Sequence, residues 1–452
     1  MHRQDTTGQA SRRRERMLDR IFHLSKNQTT VRTEVIAGLA TFMTMAYVIF
    51  VHPSILVHAG MPFNAVLFAT CVSAAAATLI MALAANYPFA LAPGMGINVY
   101  FAYTAVPFIA STLGVTDAWK IALGAVFLSG CIFVVLTFSR IRAMIITAVP
   151  DAIKIGIAAG IGIFIAMIGL QNAGIVVRGE MTLVALGNLR APLTLLSLFG
   201  LVLTAVLMAR RIKGAILFGI IITTLVGIAF RLVEVPDKLV SIPDFKPTLF
   251  ALDIGGALKL GFLNIVLVFL FIDLFDTMGT LVGIGRQGGF MVNGQLPRAN
   301  RALLADAGGT IIGSVLGTST VTTYIESAAG ISEGGRTGLT GVVVAILFLA
   351  CVVIAPAAAI VPAAATAPAL IIVGSMMMGV VGKIRWEAAD EAIPAFLTIV
   401  AVPLTYSIAN GLAIGFISYP LVKAFSGRWK EVSVIVYVLA GLFVLRFAML
   451  SF

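Results

Sequence analysis

Apolar runs of about 17–25 residues, the length that crosses a bilayer core as a helix, recur from Val35 to the C-terminus. They do not alternate apolar with polar positions as barrel strands do. The pattern predicts an all-α polytopic membrane protein. Seven spans read as 34–57, 64–84, 88–109, 118–138, 150–172, 191–209 and 213–231. A more polar connection follows at 232–256, with Pro236, Pro243 and Pro247. A second set reads as 257–283, 300–316, 318–332, 337–356, 366–381, 392–409 and 411–425. The apolar stretch 432–450 is either a fifteenth span or a helix lying against the bundle.

An odd number of spans sends a second copy of the first half into the membrane with opposite polarity, the inverted-repeat plan of many secondary transporters. Two spans in matching positions begin badly as helices. The third opens NYPFALAPGMGINVYF (86–101), with Pro88, Pro93, Gly94 and Gly96, and the tenth opens GTSTVTTYIESAAG (317–330). Proline removes a donor, and glycine and threonine weaken helix. Each should be an extended segment followed by a short helix, which is tolerated at membrane depth only inside protein or along a cavity. Such paired breaks point to a transport site. Asn98 and Glu326 fall about where the two short helices should begin.

Charge supports this topology. The chain is 60% hydrophobic and only 11% charged, against about 25% charged in soluble domains. Its net charge of +11 arises mostly between spans. With the N-terminus in the cytoplasm, the inner loops hold Arg140, Arg142 and Lys154; Arg210, Arg211 and Lys213; Arg286, Arg298 and Arg301; Lys383 and Arg385; and Lys423, Arg428 and Lys430. The basic tail 1–33, with Arg12, Arg13, Arg14, Arg16 and Arg20, suits anionic lipid rather than nucleic acid. It lacks the short apolar stretch and cleavage site of a signal peptide. Cys71, Cys131 and Cys351 and the four histidines form no metal or redox pattern. Neither Gly-rich break carries a phosphate-binding fingerprint.

The remaining intramembrane polar groups form a candidate site. Asp273 and Asp276 lie three apart in LVFLFIDLFDTMGT (267–280), on one helix face. Glu326 adds a third carboxylate and Asn98 an amide. Each carboxylate costs about 2.5–3.5 kcal/mol at a span centre on insertion scales, so three together argue for function. With no Lys or Arg nearby in sequence, they suit accepting N–H groups of a substrate, or binding H⁺ or Na⁺. They disfavour an anionic substrate such as sulfate. Tyr324 is placed either to stack on a planar ligand or to pack at a helix end. The motif of an intramembrane aspartyl enzyme is absent, and two aspartates on one helix face do not oppose each other, so the chain is not expected to be an enzyme.

TEVIAGLATFMTMAYVIFVHPSIL (33–56), ALAPGMGINVYFAY (90–103), PDAIKIGIAAGIGIFIAMIGLQNAGIV (150–176), FIDLFDTMGTLVG (271–283) and GTSTVTTYIESAAGISEGGRTGLT (317–340) closely resemble the AzgA-like purine permeases. These form a branch of the nucleobase:cation symporter-2 family, related to the nucleobase–ascorbate transporters. The likeness runs from about 30 to 425. It implies fourteen spans in two inverted seven-span repeats. Spans 1–4 (34–138) and 8–11 (257–356) would form a core domain, and spans 5–7 (150–231) and 12–14 (366–425) a gate domain. It implies proton-coupled import of hypoxanthine, guanine or adenine across the plasma (cell inner) membrane, with no cofactor and with a homodimer as one assembly open to it. Asn98, Asp273 and Glu326 match the family's purine-binding positions, Asp276 a further essential aspartate, and Tyr324 the aromatic that stacks on the base in related uracil carriers. Val99 departs from the family's usual alanine and leaves the exact base open. Transport of xanthine or uracil by the same fold is the alternative.

Overall fold

The computed structural model describes residues 17–139, 148–179, 182–233, 243–259, 265–292, 295–354 and 358–450. Arg12, Arg13, Arg14, Arg16, Arg140, Arg142 and Pro236 lie outside them. Helices occupy the apolar stretches. The first half comprises α1 (Val31–Met45), α2 (Val48–Leu56), α3 (Phe63–Ile80), α4 (Met95–Tyr100), α5 (Val106–Leu113), α6 (Ala118–Phe138), α7 (Asp151–Asn172), α8 (Pro192–Ala209) and α9 (Ala215–Ala229). The second comprises α10 (Ile254–Lys259), α11 (Val266–Gln287), α12 (Ala299–Leu316), α13 (Ser327–Ser332), α14 (Gly338–Cys351), α15 (Ala363–Met378), α16 (Ala389–Leu404), α17 (Ile408–Phe425) and α18 (Val434–Leu450). Among the described residues, nine helical stretches are long and apolar enough to cross a membrane.

Two boundaries differ from expectation. The eighth predicted span splits, because α10 packs on α6 and the long helix begins only at Val266. Gly124 permits that seat: a Cβ there would fall 2.2 Å from the Asp253 carbonyl oxygen. The first span is not continuous either. It tightens at Ala46–Tyr47, where Ile49 N–H bonds Ala46 O (3.1 Å) and Phe50 N–H bonds Tyr47 O (3.1 Å), three residues back instead of four.

Both suspected breaks are extended. β1 (Leu91–Pro93) precedes α4 and β4 (Val321–Thr323) precedes α13; β2 (Val176–Val177) and β3 (Ala185–Leu186) form a separate small pair. β1 and β4 pair antiparallel, with Leu91 opposite Thr323 and Pro93 opposite Val321. A two-stranded ribbon has two open edges, and each unsatisfied backbone group in a bilayer costs several kcal/mol. On each edge one threonine satisfies both backbone groups of one residue. Thr78 on α3 donates to Leu91 O (3.1 Å) and accepts from Leu91 N–H (2.9 Å). Thr310 on α12 donates to Val321 O (3.1 Å) and accepts from Val321 N–H (3.2 Å). At the ribbon ends Gly94 N–H bonds Thr320 O, Tyr324 N–H bonds Ala90 O, and Ala90 N–H bonds the Ser327 hydroxyl.

The helices pack in two groups. In one, α1, α3, α6, α11, α12, α13 and α14 surround the ribbon; in the other, α7, α8, α9, α15, α16 and α17 pack on one another. Buried Glu34 on α1 ties down the start of α14. It accepts the N–H groups of Arg336 (2.9 Å), Thr337 (3.3 Å) and Thr340 (3.2 Å) and the Thr340 hydroxyl (2.6 Å). These are donors that a helix N-terminus leaves open. At the end of α17, buried Lys423 pairs with Asp390 (2.6 Å) and Glu431 (3.3 Å), and Arg428 joins both acids. Helix α18 follows and packs along α17, with the Phe443 ring 5.5 Å from that of Phe416.

Removing either edge hydroxyl should cost about 1–3 kcal/mol, the penalty for an unsatisfied buried group. Thr78→Val and Thr310→Val should each lower the melting temperature of the solubilised protein, whereas Thr→Ser at either position should stay near wild type. Equal melting of the Val and Ser variants would refute the edge role.

Candidate functional site

The ribbon delivers the two short helices, and with them the polar side chains, to one place. Asn98 lies in α4 and is fully buried; its Oδ1 accepts the Ser319 hydroxyl and its Nδ2 reaches Pro93 O at 3.4 Å. Tyr324 follows β4 and donates its hydroxyl to the same Pro93 carbonyl. Its ring is 5% exposed and packs in the main apolar cluster. The hydroxyl bond braces the Pro93 carbonyl from β4's side. Glu326 stands immediately before α13, half-buried, and its Oε1 accepts from Tyr47 Oη at 2.8 Å.

The α11 aspartates occupy different surroundings. Asp276 is half-buried, pairs with the Thr322 hydroxyl of β4, and lies within electrostatic range of Glu326, Tyr324 and Tyr47. Asp273, about one turn earlier, is fully buried between the apolar neighbours Ile272 and Leu274. Asn98 and Tyr324 thus meet at the Pro93 carbonyl, Asp276 bonds β4 and lies within electrostatic range of Glu326, and Asp273 is adjacent along α11. The group is rich in acceptors. Among the described residues no cluster of three or more His, Cys, Asp and Glu could hold a metal.

Two participants were missed in sequence. Tyr47 is a lone tyrosine in an apolar run, indistinguishable there from core. Asp306 carried a usable signal: it is an acid in the middle of the predicted ninth span. It is fully buried on α12 and accepts the Thr277 hydroxyl (2.9 Å), the Thr323 N–H (3.1 Å) and the Thr323 hydroxyl (3.5 Å). Thr277 adjoins Asp276 and Thr323 belongs to β4, so Asp306 locks α11 to the ribbon.

Helices of membrane-spanning length, paired broken segments and a buried acceptor-rich site define a multi-pass membrane permease. The chain matches the Xan_ur_permease model, described as "Permease family", over residues 32–414, and it belongs to that family. It is 45% identical to the guanine/hypoxanthine permease PbuO of Bacillus subtilis over 94% of this chain and 99% of that one. It is 40% identical to the adenine permease AdeP of Escherichia coli over 98% of both. The likeness to AzgA-type permeases read from the motifs therefore holds. The transmembrane domain of the cyanobacterial bicarbonate transporter BicA shares the fold, with a TM-score of 0.65 at 17% identity over 85% of this chain and 96% of that one.

Asp306→Ala leaves the Thr323 N–H and the Thr277 hydroxyl without this acceptor. It should destabilise the protein by about 1–3 kcal/mol for each buried donor left unsatisfied, while Asp306→Asn, which keeps an acceptor oxygen, should lose less. Melting curves of the two purified variants compare these outcomes; equal loss would refute the acceptor role.

Proposed function

We propose that this permease imports purine nucleobases such as hypoxanthine, guanine and adenine by proton symport. The observation that carries the reading is the convergence of an amide and carboxylates on the meeting point of two broken helices. Purine bases present ring and exocyclic N–H donors beside acceptor nitrogens. Carboxylates accept the first, and the Asn98 amide serves either. The names of PbuO and AdeP point to the same class of solute.

In this reading Asn98, Asp273 and Glu326 hold the base and Asp276 carries the coupling proton. Two interacting carboxyls at one site titrate as a pair, which suits proton uptake and release. The half-exposure of Asp276 beside Glu326, against the full burial of Asp273, favours a second assignment in which the aspartates exchange roles. The parallel between Thr78 with Leu91 and Thr310 with Val321 supports two inverted seven-span repeats. The ribbon-centred group would be the core and the other group the gate, with alternating access arising as one moves against the other. The basic loops favour a cytoplasmic N-terminus in the plasma membrane.

Cells lacking their own purine carriers should take up labelled hypoxanthine when this chain is expressed, and a collapsed proton gradient should stop accumulation. Absence of uptake with the protein present in the membrane would end the nucleobase reading. Glu326→Gln should lower uptake at least tenfold. Asp273→Asn and Asp276→Asn separate the assignments: the base-holding aspartate is the one whose loss weakens binding of unlabelled base, and the proton carrier is the one whose loss leaves binding but abolishes gradient-driven uptake.

A further inference from the structure

We propose that Tyr47 is a positioning residue that sets the orientation of the Glu326 carboxylate for substrate. The proposal rests on the nucleobase reading and extends it to a residue outside the two broken segments. Tyr47 sits at the tightened turn between α1 and α2 and is 1% exposed. Its hydroxyl donates to Oε1 of Glu326 at 2.8 Å. Thr44, three residues earlier, reaches the Glu326 carbonyl at 3.4 Å. A close backbone seat holds the two elements together. Gly330 of α13 lies against α1 so tightly that a Cβ would meet the Thr41 hydroxyl at 2.2 Å and the Ala37 carbonyl oxygen at 2.5 Å. The turn at Ala46–Tyr47 therefore has a consequence at the site, since it sets which residue of the first span meets Glu326.

A glutamate has three rotatable bonds, and one oxygen held by a buried tyrosine leaves the other with a defined direction. Fixing it before substrate arrives removes part of the ordering cost of binding. Among the described residues, the groups facing the Glu326 carboxylate are its own backbone N–H, Tyr47 of the first span, Asp276 of α11 and Tyr324 of its own segment, and of the side chains Tyr47 supplies the hydroxyl bonded to it. Asp276 is an acceptor when ionised, and the Tyr324 hydroxyl is committed to Pro93.

Tyr47→Phe removes one oxygen atom and keeps the ring. Ordering a flexible side chain on binding costs about 0.5–1.5 kcal/mol, and tenfold in affinity corresponds to about 1.4 kcal/mol, so KM for hypoxanthine should rise about 2- to 10-fold. Vmax per transporter in the membrane should stay within about twofold. Glu326→Asp withdraws the carboxylate from Tyr47, so the double variant Tyr47→Phe/Glu326→Asp should have the KM of Glu326→Asp alone. An unchanged KM in Tyr47→Phe, a fall confined to Vmax, an additive rise in the double variant, or failure of Tyr47→Phe to accumulate in the membrane would each overturn the assignment. Wild type measured in the same series keeps the readings apart. No wild-type uptake sinks the nucleobase function, whereas normal wild-type uptake with an unchanged Tyr47→Phe KM sinks only the role of Tyr47.

Discussion

Backbone N–H and C=O groups at bilayer depth must find partners inside the protein, and the site follows from how this chain meets that demand. Continuous helices satisfy their own backbone, but the segments around Leu91–Pro93 and Val321–Thr323 do not. Pairing them serves the inner edges, and Thr78, Thr310, Asp306 and Tyr324 bond groups on the outer ones. Once that solution is adopted, the positions of α4 and α13 are fixed, and with them Asn98 and Glu326. The polar cluster thus rests on the pairing of backbone hydrogen bonds before any substrate is considered.

Charge placement obeys the same economy. Each buried acid described in detail has a structural duty or a place in the site. Glu34 closes the start of α14, Asp306 joins α11 to the ribbon, and Glu326 is held by Tyr47. Helix α4, which carries Asn98, also packs on α7 of the second helix group. Gly96 of α4 faces Ile161 of α7 so closely that a Cβ would lie 2.6 Å from the isoleucine methyl. Nearby, the Thr104 hydroxyl donates to the Tyr406 carbonyl at 2.9 Å.

The outline was legible in sequence because it rests on local chemistry. Apolar run lengths placed the helices, and proline, glycine and threonine exposed both breaks. The acids of LVFLFIDLFDTMGT and YIESAAG stood out against apolar neighbours. What was missed rests on non-local pairing. Tyr47 acquires meaning only through Glu326, 279 positions away. Thr78 and Thr310 look like ordinary helix residues until a strand edge lies beside them. The tightened turn at Ala46–Tyr47 has no proline or glycine to announce it. The bond from Tyr324 to the Pro93 carbonyl likewise spans 231 positions, and no pattern within its own segment announces it.

The ribbon also constrains how the protein is made. β1 emerges from the ribosome some two hundred residues before β4, its partner. Until β4 and α13 arrive, the inner edge of Leu91–Pro93 has only provisional partners, although Thr78 can already bond Leu91 on the outer edge. The third span therefore cannot reach its final form during early insertion, and completion of the polar cluster waits for the second half of translation. Such long-range pairing is intrinsically late and exposes unpaired edges meanwhile. A nascent chain interrupted before Val321 would hold most of its membrane helices and no binding site.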